Sequence, residues 1–469
     1  MAHRRDQISE LPRNASRLTR LLAGATSLIS LAACSSLPST PPALSSIGHS
    51  LFGKTSTPAL TGPIGTVVSD EPQAALTGHD VLARGGNAVD AAVATATALS
   101  VTLPSRASLG GGGACLVWRP GSPARSFAFL PRATKQNAGQ DRPAGTPATL
   151  RGLYLMHHGY GSVDFGDLLT PAITLANNGV TVSHTLASDI TAVHSALFAD
   201  DNARALFSRD GAPLATGDTL IQPRLAGFLT RLKTAGVGDL YTGALATVFS
   251  TAAQSAGGAL TPEDMRQTLP TENTALTSNA NGLSAEFTAP PADGGLGAAI
   301  QYVTGASAQA AVAGWRASGS NDPDTAQTLL NDRRTGGGAL PALPASTAFT
   351  ITDRSGLAVA CTLSDYNLFG TGRIAGSTGV VLGASPAQTP QPLFPAAILH
   401  GGKTLRAVIA GSGQNGAADA VGTAARAFAN GQSTLPEGNG RANAIVCDGT
   451  SCHGLTDSRG TGLATGNTN

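Results

Sequence analysis

Charge is scarce in this chain of 469 residues. Asp, Glu, Lys and Arg make up 13% of it, and 30 basic against 29 acidic residues leave a net charge of +1. A nucleic-acid surface needs a clustered basic excess, and nothing in this balance offers one. Aromatics amount to only 4%, so the interior has to be built from small aliphatic side chains. The G-x-S-x-G elbow and the His-Glu-x-x-His zinc motif are both missing, and no internal repeat is visible. His157-His158 has no partner at metal-ligand spacing and reads as helix surface, so neither a metal nor a cofactor is expected. The apolar run Leu21 to Ala33 is too short for a spanning helix.

What is present begins with glycine, 58 residues of it, and a hydrophobic content of 41%, enough for a core. The length allows one to three domains. Arg4, Arg5, Arg13, Arg17 and Arg20 form a basic region ahead of the short apolar run, the order of an export signal. The run ends Leu31-Ala32-Ala33-Cys34, which resembles a bacterial lipoprotein cleavage box. Residues 1–34 are therefore expected to be a lipoprotein signal, with Cys34 lipidated. Ser35 and Ser36 follow, which resembles an outer-membrane address, so the expected location is the cell envelope, facing the periplasm. Residues 35–63, rich in Ser and Pro, read as a tether. An exported protein permits disulfides, and Cys447 and Cys452 are close enough in sequence to form one. Cys115 and Cys361 lie in apolar strand-like runs and read as inert core residues.

The rest mixes strands and helices without strict alternation, which argues for an α+β fold or a layered sandwich. Strands are expected at 66–69, 114–118, 126–130 and 405–410, with a last one at 443–446. Helices are expected at 71–84, 87–99, 150–159, 165–177, 223–234, 243–256 and 417–429. Thr261-Pro262 has the form of a helix cap followed by a first-turn proline. Residues 318–344, rich in Gly, Pro, Asp and Asn, read as loop. Next comes a β-hairpin around Asp353-Arg354-Ser355-Gly356. A three-residue loop closed by Gly356 places Asp353 opposite Leu357 and Ser346 opposite Ser364. A two- or four-residue loop would instead put Leu363 opposite Ser346. In the first register one face is apolar (Phe349, Ile351, Val359, Leu363) and the other is small and hydroxyl-rich. On these residues alone this is an ordinary half-buried hairpin.

The motifs around it say more. Ser346-Thr347-Ala348-Phe349, Asp353-x-x-Gly356 and Phe369-Gly370-Thr371-Gly372 resemble the start of the small subunit of γ-glutamyltranspeptidases. Gly85-Gly86-Asn87-Ala88-Val89-Asp90-Ala91-Ala92-Val93-Ala94, the glycine turn Ser108-Leu109-Gly110-Gly111-Gly112-Gly113 and Pro290-Pro291-Ala292-Asp293-Gly294-Gly295 are similar to further signatures of that family. The likeness runs from about Thr66 to Gly466. It implies a four-layer αββα sandwich of the N-terminal-nucleophile hydrolase class, with residues 64–345 and 346–469 as two parts of one intertwined domain. It also implies a self-made cut before Ser346 that leaves two fragments of one chain. The freed Ser346 would be the nucleophile, acting on a small γ-glutamyl or related amide. Thr347 is the alternative nucleophile if the cut falls one residue later. Ser364 matches the family's strand hydroxyl that bonds the nucleophile. Gly411-Ser412-Gly413-Gln414-Asn415-Gly416 matches its oxyanion loop, with Gln414 and Asn415 where the family has two glycines. The same loop has the G-x-G-x-x-G shape of a dinucleotide fingerprint, but no strand with an acidic end follows it.

The substrate side departs from the family. Leu130 takes the place of the arginine that holds the glutamyl carboxylate. Arg132, two residues on, is the candidate replacement, or else a solvated loop arginine. Tyr366 stands where the family has Asn, with Asn367 beside it, and Phe394-Pro395 replaces a Ser-Ser pair. The lid segment between Gly383 and Pro392 is shortened. Glutathione is therefore expected to be a poor substrate. Two functions stay open: a γ-glutamyltransferase-like amide hydrolase, and a non-catalytic relative acting as an envelope binding or structural lipoprotein.

Overall fold

The structure, a computed structural model, describes residues 64–135, 141–280 and 282–466. Cys34, the signal segment and the tether lie outside the described residues. Two antiparallel sheets stack face to face. The first has seven strands in the order Leu463–Thr465, Gly65–Ser69, Thr347–Asp353, Ala358–Ser364, Gly112–Trp118, Arg125–Phe129 and Thr271–Thr274. The second has six, in the order Cys452–Leu455, Arg441–Cys447, Thr404–Ser412, Ala396–Gly401, Leu283–Phe287 and Leu276–Ala280. Ala348, Ala358 and Ala360 meet Ala396, Ile398, Val408 and Ala410 between the sheets. Side chains this small build the interior that the shortage of aromatics requires.

Most of the larger residues sit on the outer faces, although Trp118 stacks on His400 between the sheets. Phe349, Ile351, Val359 and Leu363 face a core shared with the helices Pro72–Ala83, Ala88–Thr102 and Thr149–Tyr160. Leu399, Ile409 and Phe287 pack with Leu296, Ile300, Val421 and Phe428 of the helices Gly294–Thr304 and Ala417–Ala429. The result is an α+β sandwich in four layers, αββα. The helix Ala88–Thr102 is apolar nearly all round, and every residue of it is buried. Asn87 and Asp90 close a capping box at its start. Asp90 also accepts hydrogen bonds from Ser162, and its oxygen lies 3.3 Å from His157 Nε2. Burial alone would raise the Asp90 carboxyl, but these partners hold it down, at about 2. His157 is thus a structural partner of a cap, and only His158 is exposed helix surface.

Several expectations change. The hairpin is buried on both faces, because its small face lies against the second sheet. Residues 318–344 include a helix, Pro323–Asn331, capped by Asp322. The expected helix at 165–177 is two, Phe165–Leu168 and Thr170–Asn178. The strand Arg441–Cys447 is followed by two more. Cys115 and Cys361 are not free core thiols: the register sets them directly opposite, and a disulfide joins them across a Cα–Cα distance of 4.1 Å. Cys447 and Cys452 form a second disulfide. Among the described residues no helix is long and apolar enough to cross a membrane.

Candidate active site

The hairpin loop is three residues long. Asp353 N–H donates to the Leu357 carbonyl, and Gly356 takes φ +83°, a left-handed value that glycine adopts without steric cost. Thr347 pairs with Leu363, so the register carried one residue further sets Ser346 opposite Ser364. The neighbouring strand then places Gly112 beside Ser364, and one more step reaches Leu130. Ser346, Ser364, Gly112 and Leu130 thus form one transverse row on the inner face of the first sheet.

Ser346 is buried, with 1% of its surface exposed. Its N–H donates to the Gly413 carbonyl at 2.9 Å, and its Oγ lies 3.2 Å from the same carbonyl. Ser364 Oγ donates to the carbonyl oxygen of Ala345 at 2.7 Å. That carbonyl belongs to the peptide bond preceding Ser346. Ser364 Oγ in turn accepts from Tyr366 N–H at 3.0 Å, so its one proton is aimed at Ala345. Tyr366 has φ +64°, an uncommon value for a bulky residue and a strained one. Thr347 projects from the opposite face of its strand, where its hydroxyl donates to Asp70. Asp70 also accepts from Ala348 N–H and from Asn443, fixing the strand start to its neighbours.

The substrate-side residues divide. Leu130 packs in an apolar cluster with Ala114, Ala128, Ala292, Tyr366 and Phe394. Tyr366 and Phe394 are fully buried there, so this part of the site is filled rather than polar. Burial, assisted by the nearby Asp293 carboxylate, pushes the Tyr366 phenol above its ordinary range. Arg132 is exposed, and its guanidinium donates to the Gln267 carbonyl at the end of another helix. It is not brought to Ser346. Asn367 is exposed and borders a cavity of about 220 Å³ with Arg142, Thr371, Ala384 and Gln388. Gln414 and Asn415 point toward the segment before Ser346. Gln414 Nε2 donates to the Leu343 carbonyl, while Asn415 accepts from Leu343 N–H and donates to the Pro341 carbonyl. Among the described residues no group of three or more His, Cys, Asp or Glu side chains converges as a metal site.

Asp365 belongs to none of the motifs that single out Ser346 and Ser364 in the sequence. It is wholly buried next to Ser364 in the chain, and Ser108 Oγ lies 2.7 Å from its Oδ1. Its Oδ2 has no partner among the described residues. Burial, opposed by the Ser108 hydrogen bonds, pushes the carboxyl up to about 7. The hydrogen-bond pattern suits the neutral acid. Ser108 Oγ also reaches the Val381 carbonyl at 2.9 Å, and one hydroxyl proton cannot serve both. A protonated Asp365 donates to Ser108, which then donates to Val381. An acidic residue directly after a strand of apolar and hydroxyl side chains was the available signal.

This sandwich, with a serine at the head of a central strand, defines the class: the fold of the N-terminal-nucleophile hydrolases. Residues 74–331 match the sequence profile of the gamma-glutamyltranspeptidase family, and the chain belongs to that family. It is 30% identical over 379 residues to the glutathione hydrolase proenzyme of Escherichia coli (strain K12), which covers 68% of this chain and 65% of the relative. It is 32% identical over 259 residues to the glutathione hydrolase proenzyme of Bacillus subtilis (strain 168), covering 50% and 43%. The chain therefore spans less than two thirds of the length of these relatives. The solved cephalosporin acylase from Bacillus halodurans shares the fold, with a TM-score of 0.68 over 86% of this chain and 96% of that one, at 20% identity.

Proposed function

We propose that this protein is an amide hydrolase that cuts its own chain between Ala345 and Ser346 and then uses Ser346 as an N-terminal nucleophile. The observation that carries this reading is the hydrogen bond from Ser364 to the Ala345 carbonyl, beside the Ser346 hydroxyl. In the cut, Ser346 Oγ adds to the Ala345 carbonyl carbon. The carbon–nitrogen bond then breaks, and the hydroxyl proton passes to the released nitrogen. Water hydrolyses the resulting ester, leaving a carboxylate on Ala345 and a free α-amine on Ser346. That amine, with a pKa near ~7.7–8.0, is a base suited to activating its own hydroxyl at neutral pH. Ser364, aimed at the carbonyl, stabilises the developing oxyanion in the cut. Peptide N–H groups of Gln414 and Asn415, next to Gly413, are the candidate donors for the substrate's oxyanion.

The relatives are named glutathione hydrolases, and a γ-glutamyl-type amide is the substrate class we assign. The filled cluster around Leu130 makes glutathione itself a poor one. A reducing denaturing gel tests the cut: wild type should give two pieces, the smaller beginning at Ser346, and Ser346→Ala one. The packing of Tyr366 and Phe394 into the subsite favours the second reading, a non-catalytic envelope protein. A wild-type chain that stays whole on long incubation would support that instead. We further propose that Cys34 is lipidated and anchors the protein in the envelope, facing the periplasm. Metabolic palmitate should label wild type and not Cys34→Ala, and equal labelling of both would refute the anchor.

A further inference from the structure

The segment leading to Ser346 has no helix or strand from residue 334 to 345, yet it is held at several points. Gly336 runs so close to the helix Ala308–Ser318 that a Cβ there would lie 2.7 Å from the Ala310 carbonyl oxygen. Leu343 is 1% exposed, in a socket formed by Ala308, Val312, Leu393, Ala417 and Ala418. At Leu343 and two residues before it, two side-chain amides grip the main chain. Asn415 Oδ1 accepts from Leu343 N–H at 2.9 Å, and its Nδ2 donates to the Pro341 carbonyl at 2.8 Å. Gln414 Nε2 donates to the Leu343 carbonyl at 2.9 Å. Only Pro344 and Ala345 separate Leu343 from the bond that would break. Proline fixes its own φ, so little freedom is left between the grip and the carbonyl.

We propose that Gln414, Asn415 and the Leu343 socket form a peptide-binding clamp whose occupant is residues 341–345 of this same chain. Gln414 and Asn415 are positioning residues for the self-cut. The inference rests on the reading that the chain cuts itself. A unimolecular acyl transfer depends on a near-attack geometry, and a misplacement of about 1 Å costs about a hundredfold in rate. Ser364 Oγ is fixed by the first sheet, and Ser346 Oγ by the Gly413 carbonyl just past the strand Thr404–Ser412 of the second. The Ala345 carbonyl is carried on a strap outside the first sheet, and the clamp brings it into register with these hydroxyls. The main-chain atoms contacted are those of any extended peptide, and the socket selects Leu at the third residue before the cut.

The test is the time course of self-cutting of the full chain on a reducing gel. Gln414→Ala and Asn415→Ala should each slow the cut about tenfold or more, the double variant about a hundredfold. Asn415→Asp keeps the acceptor for Leu343 N–H and loses the donor to Pro341, so it should fall between. Melting temperatures, compared in the uncut Ser346→Ala background, should stay within a few degrees of each other. A role confined to stability would lower the melting temperature and leave the rate untouched, and that result overturns the clamp. So would wild-type rates in every variant. If wild type itself is never cut, the self-cutting reading falls and this inference with it. If wild type is cut and the variants keep pace, only the clamp falls.

Discussion

At Asp365 the interior of the sandwich holds an acid that folding makes harder to ionise. Its folded value of about 7 lies well above the ordinary carboxylate value. Below about pH 4 the group is protonated in both folded and unfolded chains and contributes nothing. Between about 4 and 7 the folded chain keeps a proton that the unfolded chain has released, so stability falls as pH rises. Above about 7 the loss levels off, at on the order of 4 kcal/mol. Asp365→Asn keeps a donor for Ser108 and removes the titration. The variant should match wild type in melting temperature near pH 4 and exceed it increasingly up to pH 8. A difference that does not change with pH would show that Asp365 is ionised in the folded protein or titrates elsewhere. The same residue shows a limit of reading a site from its sequence. Ser346 and Ser364 could be paired because a hairpin makes distant residues opposite by arithmetic. Asp365 could not be placed, because its partner Ser108 reaches it from a turn in another part of the chain.

The hairpin was legible at the level of the element. Alternation defined its two faces and Gly356 defined its loop, and the observed register follows. Gly356→Ala forces a left-handed value on a residue with a Cβ, which costs about 1–2 kcal/mol. It also brings that Cβ within 3.1 Å of Pro120. The variant should melt lower while leaving the cut site unchanged by N-terminal sequencing. A shift of the new N-terminus away from Ser346 would show that the turn controls register more strongly than the buried faces do. The helix Ala417–Ala429 was also readable, from its run of Ala with apolar residues at helical spacing. The helix Pro323–Asn331 was hidden by composition. Its Asp322-Pro323 start follows the same capping logic as Thr261-Pro262, but it sits in a stretch dominated by Gly, Pro and Asn. The Cys115–Cys361 pairing was out of reach. It depends on which strand lies beside the hairpin, and neither strand alone carries that information.

Over the whole molecule, the proposed subsite is an apolar cluster around Leu130, where the family resemblance implies a carboxylate clamp. Two charge-assisted hydrogen bonds to a substrate carboxylate are worth about 3–6 kcal/mol together. Without them, glutathione should be turned over about two to four powers of ten less well in kcat/KM than by the Escherichia coli relative. Comparable turnover would sink this account of the subsite. The long-range disulfide bears on a different question, what the cut does to the molecule as an object. Cys115 and Cys361, 246 residues apart in sequence, close the chain into a covalent ring, and the Ala345–Ser346 bond lies within that ring. Breaking one bond of a ring opens it without releasing anything. The two pieces would remain a single covalent body, appearing as one band on a gel without reductant and as two with it. Refolding of the cut protein would be a first-order process, indifferent to concentration, because neither piece can diffuse away. The oxidised cut protein separating in denaturant without reductant would show that the ring is not closed. An intact ring would let the protein free a new N-terminus at Ser346 and still inherit the stability of one continuous chain.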